Sequence, residues 1–100
     1  MKGNNVLVEV KKLNIKNDGY KRSVSIDKMY VNTDHIISIT DYNEVKTFLL
    51  SESLDKYADN SFSLIKMSNV SSVEEVIVVG KSSEVYKKIY PKKEKEILNG

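Results

Sequence analysis

Glu75-Val76-Ile77-Val78-Val79-Gly80 is a continuous apolar run ended by glycine, and it is followed by Lys81-Ser82-Ser83-Glu84-Val85-Tyr86-Lys87-Lys88-Ile89-Tyr90-Pro91. A short apolar run bounded by a turn residue reads as a strand buried on both faces, because it shows no polar face of its own. The residues after Gly80 change period. Val85 and Ile89 lie four apart, Ser82 or Ser83 supplies an N-cap, and Pro91 stops the chain, so the spacing predicts one short helix near the C-terminus. A helix over Ser71 to Val79, capped by Ser72, is the rival parse. The β-branched Ile77, Val78 and Val79 weigh against it.

Outward from that run the pattern is extended. Val6, Val8 and Val10 alternate with Leu7, Glu9 and Lys11, the period of a strand with one buried face, over about Asn5 to Ile15. Asn17-Asp18-Gly19 is hairpin-turn chemistry, and a second strand starts near Ser23 with Val24 and Ile26 on one face. Met29-Tyr30-Val31 and His35-Ile36-Ile37-Ser38-Ile39 read as two extended pieces joined by a bend or bulge at Asn32-Thr33-Asp34. Val45 to Leu50 is a further apolar run. Phe62, Leu64 and Lys66 alternate along another strand through Met67, after the polar segment Ser51 to Ser61.

Composition agrees. Twelve Val and nine Ile stand against seven Leu and one Ala, and stiff β-branched side chains suit a pleated surface. The expected class is mainly β (α+β): an antiparallel β-meander or small barrel-like sheet with one short C-terminal helix. One hundred residues suffice for one core, so residues 1–90 are read as a single β-rich domain and residues 91–100 as a charged, flexible tail.

With no cysteine, thiolate chemistry and disulfides are excluded, and an intracellular, cytoplasmic protein is expected. No stretch reaches the roughly twenty apolar residues that cross a bilayer, so no membrane partner is expected. Abundant Lys, Asn, Ile and Tyr suggest an AT-rich source, a low-GC bacterium or its phage.

The candidates for chemistry are few. His35 is the single histidine, and on a strand its neighbour Asp34 points to the other face, so the two form no acid-base pair unless the backbone bends there. Glu52, Asp55 and Asp59 match no calcium-loop spacing. Gly80-Lys81-Ser82 resembles the end of a phosphate loop, yet Glu75 stands where the required first glycine would be, and it repels phosphate. The free amides at that helix start still offer a place for a lone anion. No catalytic, cofactor-binding or metal residue is assigned, and no cofactor is expected.

Charge is uneven. Net charge is +2, but residues 11–22 carry +4 through Lys11, Lys12, Lys16, Lys21 and Arg22 against Asp18, and residues 87–96 carry +3. Residues 23–86 carry −5. Lys11, Lys12, Lys16, Lys21, Arg22, Lys87 and Lys88, with Tyr20, Tyr86 and Tyr90 interleaved, are therefore the candidate nucleic-acid-binding residues. Edge-strand lysine also has a structural use, since it discourages stray strand pairing.

An N-terminal strand ending in Lys11-Lys12-Leu13-Asn14, the piece Tyr30 to Ile39, and a strand followed by Ser82 to Ile89 together resemble the small flagellar FlbD-like family, known in some bacteria as a swarming motility protein. That resemblance implies a short β-rich protein tied to flagellar function, with no catalytic residues to carry over. The longer first hairpin, the Ser51 to Ser61 segment and the basic tail depart from the family pattern.

The leading expectation is a small non-enzymatic binding or regulatory module, phage-encoded or motility-related, acting through protein-protein contacts along exposed strand edges. Its partner is another protein or a second copy of itself in a homo-oligomer. The alternative is a nucleic-acid-binding accessory protein using the two basic clusters.

Overall fold

The computed structural model describes residues 7–91. Five strands form one antiparallel sheet: β1 Leu7–Asn17, β2 Arg22–Asn32, β3 Ile36–Asp41, β4 Phe62–Ser68 and β5 Val73–Val79. Three short helices accompany them: α1 Glu44–Ser51, α2 Asp55–Ala58 and α3 Ser82–Ile89. The mainly-β class and the C-terminal helix are therefore as the sequence indicates. The strand at β5 excludes the helical parse of Ser71 to Val79. The proposed tail beyond Pro91 lies outside the described residues.

The strand order is β2-β1-β5-β4-β3. Taken round a circle this is a meander, 1-2-3-4-5, closed where β5 meets β1 and open between β2 and β3. The connection from β2 to β3 shows how far the sheet curls. Only a three-residue 3-10 turn, Thr33–His35, separates Asn32 from Ile36. Four Cα steps reach at most about 14 Å, whereas four strand spacings in a flat sheet hold the two edges about 19 Å apart. The sheet must bend to bring the end of β2 to the start of β3.

Curling gives the sheet a concave and a convex face, each with its own core. Val10, Val31, Ile65, Met67, Val76 and Val78 line the concave face, and α3 seats Val85 and Ile89 against them. Leu13 and Phe62 line the convex face, where α1 buries Val45 and Leu49 and α2 adds Tyr57 and Ala58. β5 serves both clusters, Val76 and Val78 on one and Ile77 and Val79 on the other, which explains the unbroken apolar run.

The turns follow their residues. In the β1–β2 hairpin the Asp18 N–H donates to the Lys21 carbonyl, and Gly19 takes φ +93° while its N–H donates to Asn17 Oδ1. At the corner between β5 and α3, Gly80 takes φ +123°, and a Cβ there would meet Val85 Cγ2 at 3.2 Å. Its carbonyl accepts the hydroxyl of the fully buried Ser63 at 2.6 Å, leaving that polar side chain satisfied.

Two details differ from the sequence expectation. Neither serine caps α3: the N-cap position is Lys81, whose side chain has no acceptor atom. Asp41, at the end of β3, accepts the Ser82 N–H at 2.8 Å, and Glu84 accepts the Lys81 N–H at 3.1 Å. The second difference is that Val45 to Leu50 and part of the polar segment are helical, as α1 and α2.

The Asp41 cap is pH-sensitive. The Ser82 backbone N–H, then the Ser82 hydroxyl, then the charge of Lys81 hold the carboxyl below its usual 3.8. A carboxyl depressed in the folded state contributes stability above its unfolded value, and that contribution is lost as pH falls through the folded one. Asp41→Ala therefore lowers the melting temperature at pH 7, and the gap from wild type narrows as pH drops below 3.8. Thermal melts across that range check it; a gap independent of pH would refute a charged cap.

Candidate interaction surface

β1 and β2 pair in unbroken register over eleven residues, from Leu7 opposite Asn32 to Asn17 opposite Arg22. Side chains on a strand alternate between faces, so the candidate basic residues of this hairpin divide. Lys12 and Lys16 share the concave face with Val10, while Lys11 and Arg22 share the convex face with Leu13 and Val24. The two faces differ in charge environment.

On the concave side, Asp27 answers the lysines. Its Oδ2 accepts Asn14 Nδ2 at 2.6 Å and Ser25 Oγ at 2.9 Å. The Ser25 hydroxyl first, then Asn14, and more weakly Lys16 and Lys12, hold this carboxyl below its ordinary value, so it is ionised at neutral pH. On the convex side, Arg22 is committed. Its Nη1 lies 3.0 Å from Glu52 Oε2, and its guanidinium sits over the Phe48 ring at 5.8 Å. That bond ties the hairpin tip to the end of α1. A shallow hollow lined by Asn17, Gly19, Tyr20, Lys21, Arg22 and Glu52 lies beside it, and its arginine is already in an ion pair.

Lys87 and Lys88 stand on α3, remote from the hairpin tip. The Tyr90 hydroxyl, just past α3, donates to the Thr33 carbonyl at 3.2 Å, which fixes that helix end beside the far end of β2. Burial, with Tyr86 and Asp34, raises the Tyr90 phenol, so the donor stays protonated. Arg22 and Asn32 are ten residues apart along β2, roughly 33 Å at the rise of a strand. Among the described residues, Lys87 and Lys88 ride on the helix that covers the concave face, whereas Lys11 and Arg22 lie on the convex face and Lys21 in the hairpin turn, so the candidate basic residues do not form one surface.

The remaining chemical candidates are also placed. Asp34 and His35 are both exposed in the 3-10 turn, and the Asp34 N–H donates to Asn32 Oδ1. Among the described residues no three His, Asp or Glu side chains gather to hold a metal. Of the amides that would greet an anion at the start of α3, those of Lys81 and Ser82 already donate to the carboxylates of Glu84 and Asp41. No described helix is long and apolar enough to cross a membrane.

What the fold leaves open is strand edge. Among the described residues β3 pairs only with β4 and β2 only with β1, so each has one side without a described partner. β3 is six residues long, has a register shift at Ile37 and packs against α3. Short length and a bulge are the ordinary devices that blunt an edge. β2 has neither: it is eleven residues long, regular throughout and free of proline. Beside this edge Tyr30 is 59% exposed, and Leu7, a diagonal neighbour across the hairpin, is 63% exposed. The sequence reading did not single out Tyr30 as a surface residue. Its even spacing from Val24 and Ile26 puts it on the convex face, beyond the part that α1 and α2 cover.

Comparison of the chain with protein families, with curated proteins and with solved structures finds no match.

Proposed function

We propose that this protein is a small non-enzymatic binding module that joins another polypeptide through the outer edge of β2, by strand addition. One observation carries the reading: among the described residues, an eleven-residue, bulge-free strand is hydrogen-bonded on one side only. An added strand takes its affinity from the main-chain groups of that edge and its selectivity from the side chains that flank it. The flanking residues here mix an exposed aromatic, Tyr30, with Asp27 and Lys28, a surface suited to a defined register rather than to indiscriminate pairing. Within this reading, the resemblance to the FlbD-like family makes flagellar and swarming-motility proteins the first partners to test.

The test is capture of partners on the tagged protein with and without nuclease, followed by amide hydrogen exchange of the complex. The expected result is a protein partner that survives nuclease and slows exchange across residues 22–32. Exchange unchanged in β2 would overturn the edge reading. Material released by nuclease would instead favour nucleic-acid binding through the basic residues, and such binding should weaken steeply with salt.

A further inference from the structure

The β2 edge also carries a register for a specific occupant. We infer that the occupant is β2 of a second copy of this chain, paired antiparallel about a two-fold axis at Ile26. This inference rests on the edge reading above and names the partner.

Charge matching under symmetry selects the register. A two-fold dimer presents the same strand from both sides, and residues set opposite each other share a face, so the two positions must have the same parity. Few centrings then remain. Centring on Asp27 or on Lys28 sets that charge against its own copy, and centring on Ser25 sets Arg22 against Lys28. Like charges directly opposite are destabilising. Centring on Met29 pairs only residues 26–32.

Centring on Ile26 pairs nine residues of each strand, 22–30, and sets no like charges opposite one another. Arg22 then faces Tyr30 of the second copy on the convex side, a cation over an aromatic ring. Ser25 faces Asp27 on the concave side. Both hydrogen bonds that Asp27 accepts end on Oδ2, so its Oδ1 is open to the Ser25 hydroxyl of the second copy, which would exchange its present bond to its own Asp27 for this one. Arg22 is already held by Glu52 and Phe48, so little side-chain freedom is lost when it meets a ring. Every such contact occurs twice in the dimer.

The test is molar mass by light scattering together with sedimentation across a concentration series. The wild-type chain is expected to show twice 11.4 kDa. Tyr30→Arg sets arginine against Arg22 at both ends and is expected to weaken association by about tenfold or more. Tyr30 is exposed and faces Glu9 within its own hairpin, so this variant keeps its fold, which circular dichroism verifies. Tyr30→Trp keeps the ring and is expected to keep the dimer, as is Val70→Arg, which adds the same charge at an exposed position in the turn between β4 and β5, away from the edge. A wild-type mass of one chain at concentrations up to about 1 mM overturns the inference. A dimer indifferent to Tyr30→Arg, or lost equally with Tyr30→Trp, overturns this register. A monomer with β2 protected by another captured protein would separate failure of this inference from failure of the edge reading.

Discussion

Phe62→Ala is expected to remove about 3–5 kcal/mol of stability, the range for truncating a fully buried aromatic ring. Phe62 is 0% exposed and opens β4 on the convex face, where it packs with Leu13 from the sheet and Val45 and Leu49 from α1. The helices depend on that contact. α1 is eight residues long and Asn43 supplies no side-chain cap, while α2 has a single turn. Isolated helices of this length are marginal in water, so burial of an apolar face holds them. Removing the ring leaves a cavity beneath α1 that a β-strand backbone cannot close, and domains of this size are stable by only about 5–15 kcal/mol. Urea denaturation of the variant measures the loss, and hydrogen exchange locates it: amides of residues 44–58 should exchange faster than those of α3. A loss below about 1 kcal/mol would mean that the convex layer is not a core.

The part of this architecture that local sequence carries is the part that local chemistry dictates. Asn17-Asp18-Gly19 makes its turn with the Asn17 side chain and a positive-φ glycine, both visible in the residues themselves. The run Val76 to Val79 is apolar on both faces because both faces are covered. Val85 and Ile89 mark α3 at helical spacing. α1 is harder to see. Glu44-Val45-Lys46-Thr47-Phe48-Leu49 mixes β-branched residues with a four-residue Val45 to Leu49 spacing, and no capping bond announces its start. Tertiary burial against Phe62 decides it, overriding weak local preference. The cap of α3 was hidden for a related reason, since Asp41 reaches it from forty-one residues away.

The candidate surface was legible to a similar extent. A run of charges such as Lys11-Lys12 gives its total in the sequence, but the strand alternation divides it between faces, and only the register shows that Asp27 lies opposite Lys12. The free edge of β2 follows from closure of β1 on β5, a pairing recorded at Lys12 and Val78 between segments sixty-six residues apart. No nearby residue encodes that. Once it is known which strands are central, β2 stands out as the long regular strand without an outer neighbour among the described residues.

Ile65→Ala tests whether the two faces are separate cores on one sheet. Ile65 is 0% exposed on the concave face of β4, opposite Ile39 of β3 and Val76 of β5, and packed in the cluster that α3 covers. Its truncation is expected to cost about 2–5 kcal/mol, with the fastest-exchanging amides now in α3 and not in α1. Phe62 and Ile65 are three residues apart on one strand, roughly 10 Å, and point to opposite faces. Side chains that far apart with no shared partner act additively to within about 0.5 kcal/mol. The double alanine variant would lose most of the available stability, so the milder pair is the informative one. Phe62→Leu and Ile65→Val should sum in the double variant. A deviation above about 0.5 kcal/mol would show that the sheet transmits strain from one face to the other, and would make α1 and α3 a single coupled unit.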